Sequence, residues 1–461
     1  MSEGHDLDET RGGVDRRSFF KTGMLAGLGA LTAAAALDGC STAANAREAA
    51  PEKPFSVAPL QKVRIGMVGV GLQGTSHVRN FLGIPEAEIV AVCDIRPERA
   101  AAAQKLITGA GHPEPRAYTH SSTDFIRLCE EEDLDLVFTA TPWEWHVPVC
   151  LHAMKNGKHA ATEVPAAVTV EECWQLVEAA EKYHKHCVMM ENCCYDREEL
   201  LILNLVRKGM LGELINAEAG YLHDLRGVKF GNENEAVWRL PHSIRRNGNL
   251  YPTHGLGPVA QCMNINRGDR FDFLVSMSCN SRGINLYAAH LYGAEDPRAT
   301  QKYALGDINT SLIRTELGKT ITLIHDTSSP RPYTRINRVQ GTHGLAEKWP
   351  NRVYIEGKSK PHQWDDLESY YPEHAHPLWK ELEAKSAGSG HGGMDFIEDY
   401  RLIWCLTHGQ PMDMDVYDAA AWSSISELSE RSVARRSRPM DVPDFTRGRW
   451  KTWPQLGIVT A

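Results

Sequence analysis

The chain has 461 residues, a formal net charge of −9, and a composition that is 42% hydrophobic and 24% charged, which is ordinary for a soluble protein. That length holds two or three domains around a large core. No basic cluster of the kind that tracks a phosphate backbone is present, so nucleic acid is not expected as a partner.

The first 46 residues read as an address. Asp15-Arg16-Arg17-Ser18-Phe19-Phe20-Lys21 precedes the weakly apolar run Thr22 to Leu37, the pattern of a twin-arginine export signal. The run is too short and too alanine-rich to hold a bilayer helix. Leu37-Asp38-Gly39-Cys40 resembles a lipobox in which Cys40 would carry a lipid anchor, and Ala44-Asn45-Ala46 offers an ordinary peptidase site instead. Residues 47–61 read as a linker. The expected location is therefore the periplasm or the envelope surface, with the export machinery as a partner.

From residue 62 the folded body begins. Val63 to Val68 is a β-branched apolar run that flows into Gly69-Val70-Gly71-Leu72-Gln73-Gly74 and then into helix-compatible sequence. A second strand, Ala87 to Val92, ends in Cys93-Asp94. This places an acid roughly 20 residues beyond the glycines, where a ribose 2′-hydroxyl is read. Gly69, Gly71 and Gly74 let a backbone approach a pyrophosphate at a helix N-terminus. Asp94 would repel a 2′-phosphate, although Arg96 lies close behind, so NAD is favoured over NADP. Strands at 134–141, 159–162 and 188–190 alternate with helices at 146–156 and 169–186. Alternating βα units imply a doubly wound parallel sheet over 62–195.

Beyond residue 210 strand-like runs dominate: 214–222, 271–280, 307–317, 319–326 and 335–341. Leu317-Gly318-Lys319 signals a hairpin. Helical patterning returns at 395–408 and 415–433, expected to pack near the first domain. The fold class is thus α/β: an N-terminal Rossmann sheet, then an α+β domain (196–455) with a large open, mainly antiparallel sheet. Eleven cysteines show no CxxC or zinc-finger spacing. Cys93, Cys187 and Cys279 read as small core residues, and adjacent Cys193 and Cys194 as packing beside a pocket. His374 and His376 lack a third ligand, and no metal site is expected.

The layout resembles the glucose–fructose oxidoreductase/inositol dehydrogenase family over about residues 60–455. It departs from the usual pattern at two places. Glu163-Val164-Pro165 stands where a Glu-Lys-Pro is usual, and Leu250 stands four residues before His254, where an Asp is usual. Thr141-Pro142-Trp143-Glu144-Trp145-His146, Glu163-Val164-Pro165, Glu191-Asn192-Cys193-Cys194-Tyr195 and Arg246 to Gly255 resemble one branch, glycoside hydrolase family 109. The resemblance implies α-N-acetylgalactosaminidase activity with NAD. It puts cofactor contacts on Leu72, Gln73, Asp94, Trp143, Trp145, His146, Glu163, Val164 and Asn192. It puts sugar contacts on Tyr221, Arg239, Tyr251, Pro252, Thr253, His254 and Tyr333, with Asp224 and Arg226 as further candidates.

The implied chemistry is oxidation at sugar C3, elimination across C1–C2, water addition and re-reduction, leaving the redox balance at zero. Such a route needs no pair of carboxylates across the bond. His254 suits the C3-hydroxyl proton. Tyr251 or Tyr333 could take the C2 proton if a cation such as Arg239 lowered its pKa. Glu163 could accept a sugar hydroxyl or hold His254. His391-Gly392-Gly393-Met394-Asp395 reads as a loop bordering the pocket. A sugar oxidoreductase without hydrolysis, or a binding protein in which NAD is structural, would share most of these features. Relatives with an exposed sheet often pair through it, so a homo-oligomer is expected.

Overall fold

The structure is a computed structural model that describes residues 55–460; the twin-arginine motif, Cys40 and the peptidase site lie outside the described residues. The body begins with strand β1 (Val63–Val68), helix α1 (Leu72–Leu82), β2 (Ala87–Cys93), α2 (Pro97–Gly109), β3 (Arg116–Tyr118) and α3 (Phe125–Glu131). It continues through β4 (Leu136–Thr139), α4 (Trp143–Lys155), β5 (His159–Thr162), α5 (Val170–Tyr183) and β6 (Cys187–Met189). These strands form a parallel sheet in the order β3-β2-β1-β4-β5-β6, the doubly wound arrangement whose ligand crevice opens at the strand C-termini. Sequence explains the elements. Every residue of β4 and of β5 is buried, as a strand covered on both faces must be. Helix α5 starts at a capping box, Thr169 with Glu172, and stops at His184 in the left-handed region.

A 3₁₀ turn, Asn192–Tyr195, and helix α6 (Arg197–Arg207) lead into the second sheet. Its strands are β7 (Leu214–Leu222), β8 (Phe271–Ser278), β9 (Ile308–Thr315), β10 (Thr320–Asp326), β11 (Arg338–Gly341), β12 (Gly344–Glu347), β13 (Arg352–Ile355), β14 (Asp365–Asp366) and β15 (Met440–Asp441). The order is β14-β13-β12-β11-β7-β10-β9-β8-β15, antiparallel throughout except for the β7–β10 pair. Gly318, at φ 91°, turns the β9–β10 hairpin. One face carries Ala217, Ala219, Ile313, Ile321, Leu323 and Leu274 into the core. The opposite face leaves Met277 and Leu312 exposed.

The helices Thr253–Cys262 and Val416–Ala434 cover the inner face, and the second of these also packs on α5 and β6. The helix Met394–His408 packs on α1 and β1. One apolar core therefore runs from Val68 and Leu176 through Leu256 to Leu323 and Ile425. The stretch read as a linker is tied down over its last part: Phe55 stacks on Tyr417 at 6.4 Å, and Leu60 N–H donates to the Leu406 carbonyl at 3.1 Å. Cys93 and Cys187 are buried as expected, but Cys279 lies one residue past β8 and is exposed. Apolar neighbours in the sequence there belong to a strand end, not to the core.

The junction that sets the site is the approach of the helix Thr253–Cys262 to β7. A Cβ on Gly255 would sit 2.4 Å from the backbone nitrogen of Gly220, inside any tolerated contact. Gly255→Ala should lower unfolding free energy by about 1–3 kcal/mol in a denaturant titration. Gly109→Ala, with open space around it, should leave it unchanged or raise it by up to about 1 kcal/mol.

Candidate active site

A cavity of about 450 Å³ lies along the C-terminal ends of β1, β2, β4 and β5. Gly69, Gly71, Leu72, Gln73 and Asp94 line one end, and Tyr221, His223, Arg239, Tyr251 and His254 line the other. The first end is a dinucleotide cradle. Gly69 has φ 83°, and a Cβ there would meet the Ala140 carbonyl oxygen at 2.7 Å. A Cβ on Gly71 would meet Arg99 Nη1 at 2.4 Å. No side chain caps the N-terminus of α1, so its first donors remain available to an anion. Asp94 is fixed by Val70 N–H at 3.0 Å and Arg96 N–H at 2.9 Å. These features fit a pyrophosphate followed by a ribose.

The other end is aromatic. Trp143 stacks near Tyr251 at 5.6 Å and Trp238 at 4.8 Å, and Tyr251 meets Tyr221 at 4.6 Å. Arg239 lies over Trp238 and Tyr251, at 4.7 and 5.1 Å, and pairs with Glu235 at 2.8 Å. His254 Nδ1 contacts Glu191 Oε1 at 2.7 Å, so an Nδ1–H donor leaves Nε2 to face the cavity. Burial opposes ionisation of Glu191, but the contact with His254 outweighs it and holds the carboxyl below its usual value. The Tyr221 hydroxyl lies 3.1 Å from His223 Nδ1. Burial, reinforced by Arg239, lowers the His223 pKa, leaving a neutral imidazole beside the phenol.

Glu163 does not hold His254. Its Oε1 lies 2.8 Å from His77 Nε2, and its Oε2 accepts from Val164 N–H at 3.1 Å. His77 is fully buried, and its Nδ1 faces Asp399 at 2.9 Å. With a carboxylate on each nitrogen the ring is an imidazolium; burial opposes this, but Asp399 and Glu163 raise its pKa well above the usual value. Glu163 is thus an anchored carboxylate at the middle of the cavity.

The tyrosines also differ from expectation. Burial pushes the Tyr251 phenol well above its usual value, and Arg239 offsets only part of that. Tyr221 is pushed up to about 12, and Tyr333 also rises, both chiefly by burial. These phenols are hydrogen-bond donors at neutral pH, not ready bases.

Of the residues nominated from sequence, the cavity wall gathers Gly69, Gly71, Leu72, Gln73, Asp94, Trp143, Trp145, His146, Glu163, Val164, Asn192, Tyr221, Arg239, Tyr251 and His254, together with His391. Gly74, Pro252, Thr253 and Tyr333 lie behind it. Gly74 serves packing: a Cβ would fall 1.9 Å from the Gly69 carbonyl oxygen. Pro252 caps the helix that Thr253, fully buried, begins. Tyr333 backs His223 at 4.9 Å and accepts from Arg335 at 2.9 Å. Asp224 and Arg226 pair with each other. His374 and His376 contact Lys208 and the Ile458 carbonyl. Among the described residues, ligand-type atoms of Glu191, Cys193 and His254 lie within 4.8 Å of one another. Glu191 Oε1 and His254 Nδ1 contact each other there, and burial pushes the Cys193 thiol well above its usual value.

Comparison with known proteins gives the same division. Residues 63–191 match a model described as the oxidoreductase family, NAD-binding Rossmann fold. Residues 195–452 match the glycosyl hydrolase 109 C-terminal domain. The chain belongs to glycosyl hydrolase family 109. Among its relatives, a family 109 protein of Shewanella pealeana is 46% identical over 460 residues, covering 97% of this chain and 99% of that one. The protein called alpha-N-acetylgalactosaminidase in Shewanella oneidensis is 46% identical over 463 residues, with the same coverage. Solved structures share the fold: levoglucosan dehydrogenase has TM-score 0.64 at 19% identity, covering 83% of this chain and 100% of that one. Scyllo-inositol dehydrogenase from Lactobacillus casei has TM-score 0.60 at 14%, covering 82% and 99%. The protein is thus an NAD-binding member of family 109.

The sequence motif around Glu191 gives that residue no task by itself, and nothing local in the sequence marks His77 or His223. Only the motif around Glu191 could have flagged one of them. In this family 109 protein Glu191 positions His254, and the two should act as a unit. Glu191→Ala and His254→Ala should each cut turnover about 10²–10⁴-fold, and the double variant should lose little more. Additive losses in steady-state kinetics would contradict the coupling.

Proposed function

We propose that this protein is an exported glycosidase that releases terminal N-acetylgalactosamine through oxidation at C3, C1–C2 elimination, water addition and re-reduction. The observation that carries the reading is the state of the three carboxylates on the cavity wall. Asp94 accepts from two backbone donors, Glu163 from His77 and Val164, and Glu235 from Arg239. None is free to pair across a glycosidic bond, as direct hydrolysis requires. The proton carriers at the sugar end are imidazoles instead. The substrate class rests on 46% identity to a protein named alpha-N-acetylgalactosaminidase.

Bound NAD supplies the acceptance and return of hydride at C3, with no net redox change per turnover. The chain's own residues handle protons. His254 Nε2, backed by Glu191, takes the C3-hydroxyl proton and later restores it. A C3 ketone acidifies the neighbouring C2–H, and neutral His223, in contact with the Tyr221 hydroxyl, is the group to receive that proton. Arg239, held by Glu235 and stacked on aromatic rings, orients the acetamido oxygen, and the Tyr251 hydroxyl donates to the ring substituents. Twin-arginine export, which moves folded chains, lets the body take NAD before it leaves the cytoplasm; Cys40 then tethers it to the envelope. The exposed outer sheet face, with Met277 and Leu312, pairs two copies.

Purified protein should therefore cleave a chromogenic α-N-acetylgalactosaminide with no net NADH formation and should release NAD on denaturation. Steady NADH accumulation without cleavage would mark a sugar oxidoreductase instead. Full activity of protein free of NAD would remove the mechanism, and a monomer in sedimentation would remove the pairing.

A further inference from the structure

Residues 226–245 run as a strap along the cavity, and Val228, Asn234, Glu235, Val237, Trp238 and Arg239 all lie on its wall. Both ends of the strap are fixed. At the first, buried Lys229 donates to Thr327 Oγ1 at 2.9 Å and to Ser328 Oγ at 3.1 Å. At the second, His242 lies 3.2 Å from Glu144, and its ring lies 4.7 Å from that of Trp143. Residues 231–234 between them are exposed. Among the described residues, these four make one side-chain hydrogen bond to the first domain: Asn234 Oδ1 accepts from Arg99 Nη2 at 2.7 Å. Apolar side chains line the cavity on both sides of that link. Val228 and Val237 on the strap are 42% and 52% exposed, and Leu72 at the head of α1 is 65% exposed. A molecule held between strap and cradle covers apolar surface that water otherwise touches.

Arg99, on α2, is placed for a second task. A Cβ on Gly71 would collide with its Nη1, so the guanidinium lies directly over the turn that fits a pyrophosphate. Among the described residues no carboxylate pairs with it. A guanidinium carries five N–H donors in a planar fork. With Nη2 on Asn234, the Nη1 side remains for a phosphate oxygen. Asn234 sits at φ 52°, a left-handed position that asparagine enters several-fold more readily than most residues. The next residue is Glu235, which holds Arg239 at 2.8 Å. One short run of chain thus joins the anion end of the cavity to the sugar end.

We propose that Arg99 and Asn234 form a clasp that NAD closes. The guanidinium holds the pyrophosphate through Nη1 and the strap through Nη2. Cofactor occupancy therefore orders residues 230–236 and, through Glu235, sets Arg239 against the sugar end. Without NAD the bond to Asn234 stands alone at the surface, where a single hydrogen bond stabilises weakly. With the anion in place, both bonds fix the same planar group and support one another. The clasp belongs to the cradle and the strap, and it holds whichever reaction the cavity performs.

The test follows NAD on the protein itself, with no substrate present. Timed samples of NAD-loaded protein are desalted and the NAD still bound is assayed, and backbone hydrogen exchange of residues 230–236 is read with and without NAD. Asn234→Gly, which suits the φ and removes the acceptor, should release NAD about tenfold faster, and Arg99→Ala about 10²-fold faster. The double variant should be no faster than Arg99→Ala. Asn234→Asp, which keeps an acceptor at that place, should stay within about threefold of the unaltered chain. NAD should slow exchange of residues 230–236 by about tenfold or more in the unaltered chain and should not slow it in Asn234→Gly. Both side chains lie outside the core, so the variants keep the fold. A large Arg99→Ala effect with Asn234→Gly silent would leave Arg99 as a phosphate contact alone and overturn the clasp. Equal release from Asn234→Gly and Asn234→Asp, multiplying effects in the double variant, or exchange indifferent to NAD would overturn it too.

Discussion

The site depends on a carboxylate that has almost no water around it. Glu191 is fully buried, accepts from His254 Nδ1 at 2.7 Å and from Cys193 N–H at 3.2 Å, and keeps its charge because of them. A buried anion is tolerated only with such partners. In return it fixes which nitrogen of His254 faces the cavity. Close packing enforces the arrangement: a Cβ on Gly257 would crowd Glu191 Cγ at 3.0 Å and Cys194 Sγ at 2.9 Å. The turn Asn192–Tyr195 that follows β6 therefore joins the two domains chemically as well as by chain connection.

Charge is organised around the cofactor cradle in the same manner. His77 carries a positive charge between Asp399 and Glu163, and Glu163 faces the cavity. The Rossmann half keeps its cradle, and the second domain sets imidazoles and phenols around the far end of the same cavity.

Much of this was legible in the sequence. The glycine fingerprint, Asp94 and the alternating βα pattern required only local rules, and they gave the first sheet and its ligand end. The hairpin at Gly318 and the helices beginning near 395 and 415 were equally local. Contacts distant in sequence were not legible. The bond between Glu191 and His254 spans 63 residues and that between His77 and Asp399 spans 322, so no spacing rule announces them. Of the two roles the sequence leaves open for Glu163, a sugar hydroxyl or His254, the packed structure excludes the second by pairing it with His77. The phenol acidities were misjudged for a related reason: Arg239 does approach Tyr251, but the energetic weight of complete burial emerges only once the walls are assembled. Tyr333, placed on the wall by resemblance, stands behind His223 at 4.9 Å.

Proton and hydride bookkeeping at adjacent carbons is the most direct check on the account. Substrate carrying deuterium at C3 in light water, and unlabelled substrate in D₂O, are each hydrolysed to completion and the released sugar is examined by proton NMR. Removal and return of a C2 proton through His223, with hydride leaving and re-entering C3 inside one cavity, predicts that the C3 deuterium is retained and that solvent deuterium is incorporated at C2. A product that takes up no deuterium at C2, released at full rate after NAD has been stripped from the protein, would contradict it.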